Sequence, residues 1–425
     1  MTDPPPRFPR RLVAAAAFLA WLFAGLEISL FILVHRPMMR SILGVDADEA
    51  VVTRWFAWYQ AAFLFGAAAG GWLFGWLGDR IGRARAMGLS VLCYSLLTLA
   101  CYPADTPEQL LGLRFLACLG IGGAWPNAVA LAAEAWPAAS RPLLAGLLGA
   151  AANVGFVLLG VVGYLFEITP DAWRWVLLVG GAPAVLGVFI LAAVPESPRW
   201  IAARAAAAAD ASPLAEVLRP PLLWRTVLGV SLGAVPVVGT AANANWLVPW
   251  TDQVAERAGA SAAGPRKPAD ARSKAATQIT RSSGATLGSL LGGVVASLLG
   301  RRLTYFLISL SALAVSSYIF TQLDPLHPQF HLFTFILGFV GVTYFGWLPL
   351  FLPELFLTRV RATGVGISFN TGRVAAAAVV LSAGFLLAEF GGDYARVGFW
   401  SGMVYAVGMV IIWFAPRRGS HRLED

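Results

Sequence analysis

Long apolar blocks separated by short polar connections run through the whole 425-residue chain. A helix needs about 20 apolar residues to cross the hydrocarbon core of a bilayer, and each block is roughly that long. Apolar residues are continuous within the blocks and do not alternate, which favours helices over the strands of a membrane barrel. We therefore predict an all-α polytopic membrane protein with twelve transmembrane helices. The predicted spans are Leu12–Val34, Trp55–Leu77, Ala86–Tyr102, Gln109–Ala133, Leu143–Leu165, Trp173–Val194, Thr226–Trp250, Ile279–Leu299, Leu303–Leu323, Phe330–Leu352, Thr363–Leu387 and Val397–Ala415.

The composition supports a membrane protein. Hydrophobic residues make up 58% of the chain and charged residues 13%, with a mean hydropathy of +0.69. A soluble domain carries about twice that charged fraction, which excludes an ordinary soluble enzyme. The cysteines Cys93, Cys101 and Cys118 show neither zinc spacing nor a disulfide framework. No metal, nucleotide or nucleophile motif rises above chance, so we expect no cofactor, no metal site, no nucleic-acid partner and no enzymatic activity.

The positions of the basic residues predict the orientation. Lysine and arginine number 31 against 23 for aspartate and glutamate, and most of the arginines lie in short connections. Such residues mark the cytoplasmic side, and they place both termini there, against one long basic loop over residues 251–280. The first block is too long for a signal-peptide core and lacks a cleavage site, so we keep it as a helix. We predict a multi-pass protein of an inner or plasma membrane, with the lipid bilayer as a partner.

The second half of the sequence repeats features of the first at a nearly constant offset. Gly75–Arg83 after the second span is matched by Gly293–Arg301 after the eighth, 218 residues later. A glutamate and an arginine seven residues apart end the fourth span and, 220 residues later, the tenth. These residues are Glu134 and Arg141, then Glu354 and Arg361. Paired six-helix repeats indicate a transporter with its site between the halves. The predicted units are a first half over 1–200, a cytoplasmic linker over 201–222 and a second half over 223–425.

Four motifs occupy corresponding places in this arrangement and together cover nearly the whole chain. They are Gly75-x-x-Gly78-Asp79-Arg80-x-Gly82-Arg83-x-Arg85; Arg114-Phe115-Leu116 with Gly120-x-Gly122-Gly123, Glu134-x-x-Pro137 and Arg141; Pro195-Glu196-Ser197-Pro198-Arg199-Trp200; and Pro353-Glu354-Leu355-Phe356 with Arg361 and Gly364. In these motifs the chain resembles the major facilitator superfamily, and within it the sugar-porter and organic-acid symporter branches. The resemblance implies the major facilitator fold of two pseudo-symmetric six-helix halves.

The chain also departs from the patterns of particular branches. Ser297 and Leu298 stand where the first-half turn has Asp79 and Arg80, so only one half carries the full charged turn. The glutamine-rich pattern of sugar porters is missing from span seven, and the glycine-proline signature of drug–proton antiporters is missing from span five. These departures weigh against a sugar or a drug as the substrate.

The charged turn after span two predicts a conformational latch. Its glycines allow close approach of helix ends, and Asp79 can cap a helix N-terminus and pair with an arginine. Pairs that form in one conformation and break in the other would give the two states different energies. The alternative is that these arginines only set the topology. The predicted gating residues are Gly75, Asp79, Arg80, Gly82, Arg83, Glu134, Arg141, Glu196, Arg199, Glu354 and Arg361.

Two opposite charges are predicted at matching depth inside apolar spans. At about 1.5 Å per residue, Glu27 lies roughly 10 Å and Arg114 roughly 8–9 Å below the outer surface. Unpaired, each would cost about 2.5–3.5 kcal/mol at the membrane centre, so we expect one to neutralise the other. The family resemblance implies that such a pair couples transport to protons. A static salt bridge is the alternative.

Arg373 is a third intramembrane charge, predicted roughly 15 Å deep in span eleven, near the midplane. Its guanidinium stays charged and needs an anion, which a substrate carboxylate or phosphate would supply. Capping of backbone carbonyls near Gly372, or contact with Glu27, is the alternative. Polar and aromatic residues of other spans complete the predicted substrate site, although any single aromatic can equally be a packing residue. They are Asn153, Trp21, Trp125, Asn127, Asn243, Asn245, Tyr344, Trp347 and Asn370.

Together these features predict a secondary active transporter that couples protons to the uptake of a small polar organic solute, with an organic anion favoured. We expect a monomer whose partners are the small-molecule substrate and protons. Two alternatives stay open. One is a sugar or polyol porter or uniporter of the same fold, and the other is a transporter-like membrane sensor that binds a solute without moving it.

Overall fold

The computed structural model describes residues 9–44, 46–136, 140–166, 168–206, 212–244, 271–390 and 393–416, together with Leu247, Trp250, Thr251 and Val254. All regular elements in these residues are helical. The α-helices are α1 (Arg10–Leu43), α2 (Glu49–Ile81), α3 (Arg83–Ala100), α4 (Pro107–Ala135), α5 (Arg141–Leu165), α6 (Trp175–Gly181), α7 (Ala184–Ala193), α8 (Pro198–Ala206), α9 (Pro213–Val217), α10 (Leu222–Ala242), α11 (Ala271–Leu299), α12 (Arg301–Gln322), α13 (Phe330–Phe351), α14 (Arg361–Glu389), α15 (Tyr394–Gly402) and α16 (Val404–Ile411). Short 3-10 helices cover Leu352–Leu355, Thr358–Val360 and Ile412–Phe414.

Eleven stretches of the described chain are long and apolar enough to cross a membrane. Helices α6 and α7 together form one of them, and α15 and α16 together with the following 3-10 helix form another. The third predicted span is the helix α3, but it is not among the eleven, because Arg83 and Arg85 in its first turn lower its hydropathy. Helix α3 still packs within the bundle, against α4, α6 and α7. The fold is the predicted all-α polytopic arrangement, with α3 as the least apolar of its spans.

Several predicted boundaries are wrong. Helix α1 continues to Leu43, well past the predicted end at Val34. This polar extension is held by α2, since the His35 ring lies 2.9 Å from the carbonyl oxygen of Val52. Helix α10 ends at Ala242, before the predicted end at Trp250, and Asn243 is its C-cap. Asn245 lies outside the described residues.

The predicted linker contains most of α8 and the whole of α9. Neither helix is long enough to span a membrane. In α9 the side chains of Pro213 and Val217 are buried, so this helix packs on the bundle. The exact limits of the two halves on either side of the linker stay a prediction.

Small residues set the helix packing. A methyl group added to Gly70 would lie 1.9 Å from the carbonyl oxygen of Leu119, and one added to Gly122 would lie 1.9 Å from that of Ala67. Helices α2 and α4 are therefore in backbone contact, as small residues permit in membrane bundles. On the outside of the bundle large apolar side chains are exposed, among them Val185 and Leu298. Lipid tails can cover such a surface.

The two halves meet along α2 with α14 and along α5 with α11. Backbone approaches closely where Gly75 meets Ala362 and where Gly146 meets Leu290. Both approaches lie at the end of the bundle that carries the α2–α3, α4–α5, α11–α12 and α13–α14 connections. This end is called the latch face below.

Candidate functional site

Asp79 ties the first half to the second at the latch face. Its carboxylate accepts hydrogen bonds from the backbone N–H groups of Ala362 (3.2 Å) and Thr363 (2.7 Å), in the first turn of α14. It also lies 2.8 Å from a guanidinium nitrogen of Arg83, and both side chains are fully buried. Free N–H groups and the helix dipole make a helix N-terminus a favourable place for a carboxylate. Asp79 therefore holds the first turn of α14 against the end of α2.

Glu134 forms a second link across the same interface. Its Oε1 atom lies 3.3 Å from Nε of Arg83 and 3.0 Å from Nη1 of Arg361, so one carboxylate joins α3 to α14. Arg83 also donates to the carbonyl oxygens of Gly78 (2.9 Å) and Thr358. Removing one partner of such a buried pair destabilises a protein by about 3–5 kcal/mol. Asp79, Arg83, Glu134 and Arg361 form what we call the latch.

The second half holds a simpler copy of this arrangement. Arg301 pairs with Glu354 at 2.8 Å and donates to the carbonyl oxygen of Ala296 at 2.9 Å. Ser297 takes the place of Asp79, and its hydroxyl donates to Gly293 in its own helix (3.1 Å). The absence of a carboxylate at position 297 makes the latch asymmetric, as the sequence predicts.

Gly82 and Glu196 shape the turn between α2 and α3. The backbone of Gly82 has φ of 113°, and an added methyl group would lie 2.3 Å from the Glu196 carboxyl carbon. The Glu196 carboxylate accepts from the N–H groups of Ala84 (3.1 Å) and Arg85 (2.9 Å), which caps α3. Burial raises the pKa of Glu196 above its ordinary value, and these two hydrogen bonds oppose the effect. Only glycine combines this φ with this space.

Four other predicted gating residues lie beside the latch. Arg80 is exposed and its guanidinium lies 4.9 Å from the centre of the Trp76 ring. Arg199 forms no ion pair with any residue that the structure describes. Arg141 and Glu354 line one small cavity between the halves. The exposure of Arg80 favours a surface role over a part in the latch.

Two contacts at the latch face were not predicted from the sequence. Glu216 of α9 accepts two hydrogen bonds from Nε of Arg359, at 2.9 and 3.1 Å, just before α14 begins. The indole N–H of Trp200 donates to the backbone carbonyl of Asp79 at 3.1 Å. Helices α8 and α9 thus contact both sides of the latch.

Glu27 and Arg114 meet inside the first half. Nη1 of Arg114 lies 4.0 Å from the Glu27 carboxylate and donates to the Glu27 carbonyl oxygen at 3.2 Å, and neither side chain reaches the surface. The hydroxyl of Thr98 donates to the same carboxylate at 2.9 Å. A methyl group on Gly180 would lie 2.6 Å from Oε1 of Glu27, so this glycine makes room for the acid. The guanidinium of Arg114 also lies 4.3 Å from the centre of the Phe31 ring.

Arg373 lies between aromatic rings. Its guanidinium is 5.6 Å from the centre of the Phe63 ring and 5.1 Å from that of Phe369. It forms no ion pair within the described part of the chain, and its Nη1 has no hydrogen-bond partner there. Twelve residues separate it from the start of α14, or about 18 Å along the helix axis. Its charge is buried near the middle of the bundle, without a counter-ion among the described residues.

The two buried arginines share a neighbour. The Arg114 guanidinium lies 5.8 Å from the centre of the Phe63 ring, and that of Arg373 lies 5.6 Å from it. The two cations are therefore no more than about 11 Å apart. At an effective dielectric constant of about 20, two unit charges at that distance repel by about 1.5 kcal/mol. A change in the net charge around Arg114 therefore changes the electrostatic potential at Arg373.

Aromatic residues from four helices form a cluster that reaches Arg373 through Phe369, whose ring centre lies 5.1 Å from the guanidinium. Trp125 of α4 stacks on Phe369 of α14, with ring centres 4.1 Å apart. Phe345 meets Phe369 edge-on at 6.1 Å, and Trp21 lies 6.4 Å from Trp125. Trp21, Trp125, Phe345 and Phe369 are called the aromatic cluster below. Because both halves contribute to it, it lies where this architecture places its substrate.

Some predicted substrate-site asparagines serve helix packing. Asn127 donates to the carbonyl oxygen of Phe74 at 2.9 Å and joins α4 to α2. Asn370 donates to a carbonyl of its own helix at 2.9 Å and lies against Gly71, where an added methyl group would be 1.9 Å from its amide nitrogen. Asn153 is half-buried on α5 and has no hydrogen bond to a described side chain.

The remaining predicted site residues hold the second half together. Asn243 bonds to Ser316 at 2.9 Å, and the Tyr344 hydroxyl lies 2.7 Å from that of Ser309. The indole N–H of Trp347 donates to a backbone carbonyl at the start of α12, at 3.0 Å. None of these hydrogen bonds involves Arg373, so the geometry favours packing roles for these three residues.

Sequence reasoning missed residues that complete both sites. Phe63 and Phe369 look like any other aromatic in an apolar span, and Thr98 and Gly180 carry no charge. Their roles come from distant helices that only the fold brings together. Arg281 did have a signal, because it is an arginine inside a predicted span. It lies within electrostatic range of Tyr405, on α16.

Comparison with known proteins identifies the family. The model of the sugar (and other) transporter family matches residues 24–221 and 267–419. The chain belongs to this family, and it is a multi-pass membrane transporter of the major facilitator fold.

Three relatives match over most of their length. The chain is 27% identical to the inner membrane metabolite transport protein YgcS of Escherichia coli, over 83% of this chain and 81% of that protein. It is 30% identical to a probable 4-methylmuconolactone transporter of Cupriavidus pinatubonensis, over 76% of this chain and 73% of that protein. It is 27% identical to the cis,cis-muconate transport protein of Acinetobacter baylyi, over 87% of this chain and 86% of that protein.

A solved structure supports the fold. The proton:xylose symporter XylE, bound to 6-bromo-6-deoxy-D-glucose, superposes with a TM-score of 0.75 over 95% of each chain. The sequences are 17% identical, so this likeness concerns the fold alone.

Proposed function

We propose that the protein is a proton-coupled symporter that brings a small organic anion into the cell. The observation that carries this proposal is Arg373, a buried guanidinium between aromatic rings that forms no ion pair in the described chain. An intramembrane charge is a functional site by default, and a carboxylate would satisfy it through paired hydrogen bonds.

The class of anion follows from the surroundings of Arg373. Phe369 of the aromatic cluster precedes Arg373 by one helical turn and lies 5.1 Å from its guanidinium, and Trp125 stacks on Phe369. A flat, unsaturated acid can place its carboxylate on the arginine and its plane against Trp125 or Phe369. Relatives named for muconate and 4-methylmuconolactone support this class, as do a gallate and a 4-hydroxybenzoate transporter that match over shorter stretches.

Proton coupling follows from the charges. While Glu27 is ionised, it balances Arg114. Protonation of Glu27 leaves Arg114 as a bare cation close to Arg373, and the repulsion of about 1.5 kcal/mol then favours an anion between them. Because 1.4 kcal/mol is a factor of ten, proton and anion would each strengthen the other's binding about tenfold, as linkage requires. Cotransport of one proton with one monovalent anion is electroneutral.

The latch gives the alternation between two states. We take the latch face as cytoplasmic, which puts both termini inside an inner or plasma membrane. With Asp79 and Glu134 in contact with α14, the cytoplasmic side is closed. Opening requires both carboxylates to leave their partners, and the substrate would then be released inwards. One chain supplies both halves, so a monomer suffices.

Binding measurements on Arg373 variants test the proposal. We expect purified wild-type protein to bind acids of a panel containing 4-hydroxybenzoate, gallate, niacin and cis,cis-muconate, and to ignore xylose and glucose. Arg373→Gln should abolish acid binding and Arg373→Lys should weaken it, because lysine cannot form the paired geometry. Acid binding that survives Arg373→Gln, or tight binding of a sugar, would reject the anion-symporter function and favour a sugar porter. Binding without counterflow in proteoliposomes would favour a solute sensor.

A further inference from the structure

Phe63 is the one described aromatic residue whose ring meets both buried arginines. Its ring centre lies 5.8 Å from the guanidinium of Arg114 and 5.6 Å from that of Arg373. Phe31 is in contact with Arg114 only, at 4.3 Å, and Phe369 with Arg373 only, at 5.1 Å. Phe63 therefore contacts both arginines, whereas Phe31 and Phe369 each contact one of them.

The position of Phe63 follows from the packing of α2. One turn along the helix, Gly66 lies so close to α4 that an added methyl group would be 2.5 Å from the carbonyl oxygen of Phe115. About two turns beyond Phe63, Gly71 lies so close to α14 that an added methyl group would be 1.9 Å from the side-chain nitrogen of Asn370. Helix α2 is therefore pressed between α4 of the first half and α14 of the second. A side chain on this part of α2 can touch the charged residues of both halves.

We propose that Phe63 transmits the protonation of Glu27 to the anion site at Arg373, and this inference rests on the proposed function. When Glu27 becomes protonated, Arg114 loses its counter-ion and is held by its hydrogen bond to the Glu27 carbonyl oxygen and by the Phe31 and Phe63 rings. The negative face of the Phe63 ring retains the guanidinium. Arg114 then stays within electrostatic range of Arg373, and an incoming anion experiences both charges. Phe63 is a positioning residue that acts through the two arginines.

The groups that face Glu27 allow this assignment. Arg114 from α4 is its formal charge partner. Tyr94 of α3, Cys101 at the end of α3 and Cys118 of α4 lie within electrostatic range, and all three are uncharged while protonated. Among the described residues, protonation of Glu27 therefore changes the charge balance mainly at Arg114.

The test is the pH dependence of anion affinity in full-length purified protein. The probe is 4-hydroxybenzoate, or the panel acid that the wild-type protein binds most tightly, and its Kd is measured at an acidic and an alkaline pH. We expect the wild-type protein to bind about tenfold more tightly at acidic pH. Phe63→Leu should reduce the ratio of its own two Kd values to about twofold, and Phe63→Tyr, which keeps the ring, should restore the wild-type ratio.

Matched controls separate coupling from general damage. Phe31→Leu should keep most of the ratio, and Phe369→Leu should weaken binding equally at both pH values. Phe63→Met repeats the test without a ring if Phe63→Leu does not elute as a monodisperse protein. A wild-type ratio in Phe63→Leu or Phe63→Met, or an equal loss of ratio in Phe31→Leu, would overturn the role of Phe63. A wild-type ratio near one would instead overturn the proposed proton coupling, and this inference with it.

Discussion

Replacing Asp79 by asparagine should open the latch without unfolding the protein. The buried carboxylate accepts from two N–H groups of α14 and pairs with Arg83 at 2.8 Å. Asparagine keeps the shape and one acceptor oxygen, but it removes the charge that these three donors stabilise. Hydrogen bonds to a charged group are worth about 1.5–3 kcal/mol each, and some of this is recovered by the amide. We expect the closed state to lose about 2–3 kcal/mol, which shifts the ratio of closed to open molecules by roughly 30–150-fold.

Cysteine accessibility measures this shift. Val360 is buried beside the latch, where it lines a small cavity with Asp79 and Arg359. With the three native cysteines replaced by serine, Val360→Cys should react slowly with a maleimide when the latch is closed and much faster in the Asp79→Asn background. Transport should slow, because one state becomes dominant.

The pseudo-symmetric residue supplies the control. The one hydrogen bond of the Ser297 hydroxyl to a described residue is within its own helix, so Ser297→Ala should change neither labelling nor transport. If Asp79→Asn labels and transports like the wild-type protein, the charged turn only sets the topology and the latch is wrong. Equal effects of Asp79→Asn and Ser297→Ala would show that the carboxylate charge does not stabilise the closed state.

Three further outcomes follow. Glu27→Gln should abolish uphill, proton-driven uptake in proteoliposomes while leaving substrate exchange, and undiminished uphill uptake would reject the proton role. Gly82→Ala should destabilise the protein by about 1–3 kcal/mol, because its φ of 113° and the Glu196 carboxyl leave no room for a methyl group, and an unchanged melting temperature would contradict this. A reporter fused after Asp425 should be protected from external probes on intact cells, and external accessibility would reverse the orientation.

The sequence predicts the spans, the latch and the buried charges for reasons that are local or periodic. Continuous apolar blocks define helices, and the offset repeat relates Gly75–Arg83 to Gly293–Arg301. Glu27 and Arg114 are conspicuous because charges in such blocks are costly, and equal depth brings them together. Where boundaries fail, as in the extension of α1 to Leu43, tertiary contacts such as that of His35 stabilise polar residues beyond the apolar block.

Which uncharged residues build the site could not be predicted. Phe63 matters because α2 packs against two other helices, and Gly180 matters because a carboxylate from α1 needs space beside it. Neither property is visible along the chain. The sequence predicts the asparagines as site residues because a buried amide needs partners, but Asn127 and Asn243 find theirs in neighbouring helices. A polar residue in an apolar span indicates a partner without saying whether the partner is substrate or protein.

Accumulation of an acid against its gradient tests the central claim most directly. Wild-type protein in proteoliposomes, with an inwardly directed proton gradient, should concentrate radiolabelled 4-hydroxybenzoate or another acid of the panel. A protonophore should abolish the accumulation, and Arg373→Gln should not accumulate the acid at all. Accumulation that is indifferent to the protonophore, or that persists in Arg373→Gln, would contradict a proton-coupled anion symporter built on Glu27 and Arg373.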